Sequence, residues 1–290
     1  VPPTMSRMGD VLTGFHAAWE FESDSVLIRY ERGIRTPKLF QALGERRVPL
    51  AALASVTLTP GRRGTVVLRA EPRPGADPLM DAADGQLKER SDPYRLVLPA
   101  EHEALAGHYA GELRPRLGGS GPADRHLVAA PEPPLQFKAY DGKASFDGGA
   151  VRFRWSWTGA SSTKWKTGDQ SFPVDELGGV QWRSPEVFEG HLRLLPREAD
   201  SAPAPQPDQD PAAVVFGLGY GPVHESLPFA AAVLAAVRVA APAPAMSLTA
   251  GRRDPADIAE RIRHLGELHQ AGLVTDEEFS VKKAELLAEL

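Results

Sequence analysis

Cysteine is absent from this chain of 290 residues, which excludes disulfides, thiolate metal sites and a cysteine nucleophile. The absence leans towards a reducing compartment. Residues 1–10 hold Arg7 but no apolar core of an export signal, and Met8-Gly9-Asp10 reads as a natural beginning after a short leader, so the expected location is the cytoplasm. Long apolar runs are missing too. The longest, residues 229–237, falls well short of the roughly 18 to 20 residues that a spanning helix needs, so membrane contact is expected to be peripheral at most. Nor is there a surplus of positive charge. The net charge of -5 divides into 15 basic and 15 acidic side chains in residues 10–117, 10 and 12 in residues 135–239, and 6 and 9 in residues 252–290. No part is basic enough to predict strong nonspecific attraction to nucleic acid or to anionic lipid.

Catalytic and metal-binding constellations are lacking as well. The eight histidines are scattered, and His264 and His269, five apart on an expected helix, face different directions, unlike an i, i+4 metal pair. Ser120 sits in a glycine-rich stretch without the strand-to-helix elbow that exposes a nucleophile. The run Gly217-Leu218-Gly219-Tyr220-Gly221 reads as a turn, because Pro222-Val223 follows it where a phosphate-cradling loop would run into a helix N-terminus. No enzyme, cofactor or metal is therefore expected.

What is present is a repeat. Residues 49–56 reappear as residues 173–180, with Pro49 and Pro173, Leu53 and Leu177, and Val56 and Val180 in the same places. Residues 21–29 match residues 146–154 in Phe, Val and Arg, and Asp92-Pro93 has its counterpart in Asp210-Pro211. In the first copy, runs rich in aromatic and branched residues at 17–22 and 26–31, parted by Ser23-Asp24-Ser25, form a hairpin signature. In the second copy, Asp147-Gly148-Gly149 supplies the same turn. Further strands are expected at 46–50, 55–59, 65–70 and 94–98, then at 150–157, 170–174, 179–183, 190–195 and 212–218. Residues 71–92, with three prolines and two glycines, read as a long loop of a length more often functional than idle. Helices are expected at 101–114, with Leu105, Tyr109 and Leu113 on one face, and at 227–239.

The fold class that follows is α+β, mainly β. Two tandem sandwich or partly open barrel units, at 10–117 and 135–240, are each closed by a C-terminal helix. Residues 118–134 form a linker, flexible at its glycine-rich start and stiff at its proline-rich end, and 241–253 form a second one. Residues 254–290 read as a helical hairpin: Asp254 is the N-cap, Gly272 a C-terminal glycine, and Thr275 and Glu278 a capping box. Its apolar stripes are Ile258, Ile262, Leu265 and Leu268, then Phe279, Leu286, Leu287 and Leu290. A piece of fewer than about 40 residues needs a docking surface to fold stably, so these eight residues are the expected contacts for self-association or for docking on the rest of the chain.

The tail, with Leu265, Leu268, Gly272, Leu273, Thr275, Glu278-Phe279, Lys282 and Leu286-Leu287, resembles the SHOCT domain, a short C-terminal hairpin of many bacterial proteins. The two larger units, with residues 49–56, 75–79, 92–96 and Val180-Gln181-Trp182, resemble an actinobacterial family of unknown function with two tandem PH-like repeats. That resemblance implies PH-like folds, an intracellular bacterial setting and a tail that oligomerises, and it carries no catalytic residue. Two candidate binding groups remain. Arg46-Arg47 and Arg62-Arg63, at strand ends or turns, would present cations together to a phosphate or carboxylate. Trp155 and Trp157, placed on one face by strand alternation, would form an aromatic groove with Trp182, or else pack in the core or between the units. The expected function is a non-enzymatic adaptor or scaffold, with itself or another protein as partner. A nucleic-acid-linked regulator and a peripheral lipid-binding protein are the alternatives.

Overall fold

The computed structural model of the protein describes residues 10–197 and 204–241. The expected tail hairpin, with Ile258, Ile262, Leu265, Leu268, Phe279, Leu286, Leu287 and Leu290, lies outside the described residues. Within them the chain is mainly β and forms one compact unit, which ends at Ala241.

In the first repeat, β1 (Asp10–Thr13), β2 (Ala17–Phe21) and β3 (Ser25–Tyr30) run antiparallel, and helix α1 (Lys38–Leu43) leads to β4 (Glu45–Pro49), which completes a four-stranded sheet. A second, three-stranded sheet holds β5 (Leu53–Pro60), β6 (Thr65–Pro72) and, after helix α2 (Pro78–Ala83), β7 (Arg95–Pro99). Helix α3 (Glu103–Leu113) follows. Inward side chains of both sheets and of α3, among them Leu12, Trp19, Ile28, Leu68, Leu96 and Ala106, share one apolar core. A half-apolar sheet needs such a cover.

The second repeat retraces this path. β8 (Leu135–Lys138), β9 (Gly142–Phe146), β10 (Ala150–Trp155), helix α4 (Ser162–Thr167) and β11 (Gln170–Pro173) give the four-stranded sheet. β12 (Leu177–Arg183), β13 (His191–Pro196) and β14 (Ala213–Val215) give the three-stranded one, and helix α5 (Val223–Ala240) closes it. Details repeat with the topology. Pro49 and Pro173 each end a strand and open a single 3-10 turn. A register shift follows in each copy, between Leu53 and Ser55 and between Leu177 and Gly179. Asp92 accepts from the Tyr94 N–H and pairs with Arg69, while Asp210 accepts from the Ala212 N–H and pairs with Arg193.

Several expectations from sequence are corrected. The long loop at 71–92 contains α2, capped by the Asp77 carboxylate, which accepts from the Leu79 N–H with Pro78 in the first turn. This helix leaves its own repeat: Leu79, Ala82 and Ala83 belong to the core of the second repeat, together with Leu39 of α1. Gln86 then donates to the Trp182 carbonyl and accepts from the Ser184 N–H, so the two repeats are bonded to each other as well as packed. Residues 118–134 are no slack linker. Gly118 donates to the carbonyls of Leu50 and Leu53 so closely that a Cβ there would meet the Ala51 oxygen at 2.1 Å. Ala123 and Val128 are buried in the first core. The face of α3 that is buried is Ala106, Ala110 and Leu113, with Leu105 exposed.

Helix α5 starts four residues before its expected position, because Pro222 is its N-cap and Pro228 sits inside it. At 18 residues it is also long and apolar enough in composition to pass for a membrane span, which corrects the count of apolar run lengths. Leu227, Phe229, Ala230, Ala231 and Val233 are fully buried against the sheets of its own repeat and against α2, so in this fold it is a core helix.

Candidate functional site

The anion site expected of four arginines does not assemble. Arg46 is turned inward: its guanidinium bonds both Asp77 oxygens, at 2.7 and 2.9 Å, and the Tyr94 hydroxyl donates to the same carboxylate at 2.7 Å. Burial opposes the Arg46 charge, but the Asp77 carboxylate and the two nearby tyrosines outweigh it and hold the pKa above its ordinary value. Arg47 is half-exposed and paired with Glu22. Arg62 and Arg63 stand exposed on the β5–β6 turn, in the other sheet of the sandwich. The aromatic groove does not assemble either. Trp155 and Trp182 are buried in the second core, their indole N–H groups donating to the Gly168 carbonyl and the Ser226 hydroxyl. Trp157 lies beyond the end of β10, in the turn that follows, and is 81% exposed.

A different group comes together where the repeats meet. A cleft of about 620 Å³ is lined from the first repeat by Arg35 and Lys38 at the start of α1 and by Leu87 and Arg90 after α2. From the second repeat come residues 185–187 and 216–220 and the first residues of α5. Arg35, Lys38 and Arg90 make no side-chain hydrogen bond or ion pair within the described residues. The lone acid in the lining, Glu186, is answered by Lys88 across the junction at 3.2 Å. Three cations thus face the cleft uncompensated.

Its opposite wall is the glycine run. Tyr220 N–H donates to the Gly217 carbonyl, which closes a tight turn, and Gly221 donates to the Lys138 carbonyl. Gly221 has φ +61, and a Cβ on it would meet the Phe216 ring at 2.2 Å, so no other residue fits there without shifting that ring. The sequence suggested a turn without a helix behind it; the turn is present, but Val223 opens α5 directly after it. The Glu225 and Ser226 N–H groups are taken by the Pro222 carbonyl, while the Val223 and His224 N–H groups at the cleft have no intrahelical acceptor. Burial pushes the His224 imidazole below its ordinary value, Glu225 opposes this, and Lys38 adds to the lowering.

Tyr220 also lines a second hollow, of about 560 Å³, with Tyr140, Lys138, Lys143 and Arg154. Lys138 pairs with Lys143 and Lys143 with Arg154 in the sheet register, so three cations stand in one row on the outer face of three adjacent strands. Like charges directly opposite each other destabilise a sheet, and among the described residues only Arg154 of the row pairs with an acid, Asp169 at 3.4 Å. Sequence reasoning missed this row and the cleft alike. The signal for the row was there, once β8 was recognised: Lys138, Lys143 and Arg154 follow from the hairpin register. For the cleft there was no such signal, since Arg35, Lys38, Arg90 and the glycine run meet only through the docking of α2 and α1 on the second repeat.

Comparison with known sequences agrees with the duplication. The family profile described as Domain of unknown function (DUF4429) matches residues 19–114 and again residues 144–234, and the one described as Short C-terminal domain matches residues 260–287. No curated protein matches the chain. With the repeated match extending over more than half of its length, the chain belongs to the DUF4429 family, in a form that holds two copies of the domain and a Short C-terminal domain behind them.

Proposed function

We propose that this protein is a non-enzymatic adaptor whose two repeats are PH-like modules fused into one binding unit, and that the cleft between them receives a compact anionic group, a phosphate or a carboxylate. The observation that carries the reading is the convergence of Arg35, Lys38 and Arg90, none of them paired, on a wall made by a glycine turn and the opening of α5. Cations left without acids in a concave site gain more from a bound anion than from water, since charge-assisted hydrogen bonds to guanidinium and ammonium are the strong ones. The Val223 and His224 N–H groups, free of intrahelical acceptors at the opening of α5, give the anion a second set of donors. In this reading the C-terminal stripes bring copies of the unit together, so that weak single contacts add by avidity.

Calorimetric titration of the full chain with inorganic pyrophosphate tests the cleft. Binding is expected, weakened about tenfold by Arg90→Ala and again by Lys38→Ala, in line with about 1.5 kcal/mol for each hydrogen bond to a charged group. Both side chains are exposed, so neither change disturbs the fold. Absence of binding, or binding indifferent to both substitutions, refutes the reading.

A further inference from the structure

Resting on the cleft reading, we infer that the anion this cleft meets is the headgroup of an acidic phospholipid, and that the cleft face docks on an anionic bilayer surface. The independent observation is apolar. Among the described residues five large hydrophobic side chains are more than four-fifths exposed: Ile34, Trp157, Phe188, Leu218 and Val239. Three of them sit on three of the four segments that line the cleft. Ile34, 107% exposed, precedes Arg35. Phe188, 83% exposed, follows the lining residue Val187, itself 46% exposed. Leu218, 102% exposed, is the tip of the glycine turn and lines the cleft directly.

None of the three touches a core, so they contribute nothing to folding, and single exposed apolar residues scattered over a surface would need no explanation. Here they cluster, one to a loop, around unpaired cations. That combination is the signature of an interfacial anchor: apolar tips enter the boundary between headgroups and acyl chains while basic groups stay at the level of the phosphates. Arg32, exposed beside the Arg35 loop, adds to the positive side; Glu31 and Glu189 lie on the same loops outside the lining. Tyr220 and Tyr140, an edge-to-face pair at 6.2 Å, join the cleft to the Lys138, Lys143 and Arg154 row. Amphipathic aromatics between cations suit the same boundary. The net charge of the chain, -5, hides this asymmetry, because attraction to a surface acts within a Debye length, about 8 to 10 Å. A protein partner would ask for a continuous apolar patch, whereas three tips projecting from separate loops suit a fluid surface that fills in between them.

The test is co-sedimentation of the full chain with vesicles of phosphatidylcholine alone and of phosphatidylcholine with phosphatidylglycerol, beside the pyrophosphate titration. Binding is expected to the acidic vesicles only. The double variant Ile34→Ser, Phe188→Ser, at two tips outside the cleft lining, is expected to lower the partition coefficient at least about tenfold and to leave pyrophosphate binding unchanged. Lys38→Glu with Arg90→Glu is expected to lower both. If pyrophosphate binds and acidic vesicles do not, the cleft serves a free anion: the membrane inference falls and the proposed function stands. Vesicle binding that ignores the tip variant, or that is equal on neutral lipid, also overturns the inference. Failure of pyrophosphate to bind removes the cleft reading itself, and with it the membrane inference that rests on it, whatever the vesicles do.

Discussion

Arg46 and Lys164 are the two side chains on which most of the buried polar order depends. Arg46 joins β4 to the N-cap of α2 through Asp77, and Tyr94 and Tyr30 close the arrangement, the Tyr30 hydroxyl donating to the Pro93 carbonyl. Lys164, fully buried in α4, bonds the Asp141 carboxylate and the carbonyls of Pro207 and Ala213, with the Trp155 ring 4.9 Å away. Burial lowers its pKa and raises that of Asp141, each partly offset by the other's charge. Removing one partner strands the other, so Asp77→Ala is expected to lose about 3 to 5 kcal/mol in urea unfolding, and Arg46→Met in the same chain to recover part of it. A third buried group, His191, donates from Nδ1 to the Glu189 carbonyl at 2.8 Å, which leaves Nε2 buried without a partner. Its pKa is lowered from 6.5 by burial. The unfolded chain therefore binds more protons between the folded pKa and 6.5, and stability from this residue is complete above that window and lost as pH falls through it. The wild type is expected to lose stability relative to His191→Gln as pH drops below about 6.5, read from urea midpoints at a series of pH values.

Among the elements, α2 has six residues and the widest consequence. It is cut out of a connection that in the second repeat is a proline-rich stretch, and it lays Leu79, Ala82 and Ala83 on α5. Leu79 is fully buried there, so Leu79→Ala is expected to cost about 2 to 5 kcal/mol. Because the lost contacts belong to both repeats, unfolding is expected to remain a single transition with a lower midpoint, followed by tryptophan fluorescence from Trp19 on one side and from Trp155 and Trp182 on the other. Separate transitions in the wild type would show the docking to be weak. Most strands were legible from sequence, since alternation and turn residues are local. The short elements β1, β8, α1, α2 and α4 were not, because four to six residues hold too little periodicity to stand out from a connection. Helix α5 was read late for a different reason. Pro228 suits a first helical turn, which sets an expected start at Leu227, whereas Pro222 caps the helix and Pro228 is held inside it by its buried neighbours.

At the scale of the whole molecule the question is how many copies act together. The tail stripes lie outside the described residues, and their pattern alone predicts either self-association or docking on the rest of the chain. Light scattering after size exclusion is expected to give an oligomer for the full chain and a monomer for a chain ending at Ala241, the close of the compact unit; equal monomer masses for the two would dismiss association through the tail. Duplication itself was determined by the sequence, since Pro49 and Pro173, Asp92 and Asp210, and the Phe21 and Phe146 segments are local signatures that survive in order along the chain. Strand polarity and the closing helices came with them, because periodicity and turn chemistry act over a few residues. Only the tertiary structure decided that the repeats share a core through α2, that Arg46, Trp155 and Trp182 are structural, and that Arg35, Lys38 and Arg90 meet the glycine turn. Those facts depend on contacts between residues distant in the chain, from Arg46 with Asp77, 31 positions on, to α2 with the far longer-range α5, which composition and spacing do not encode one by one.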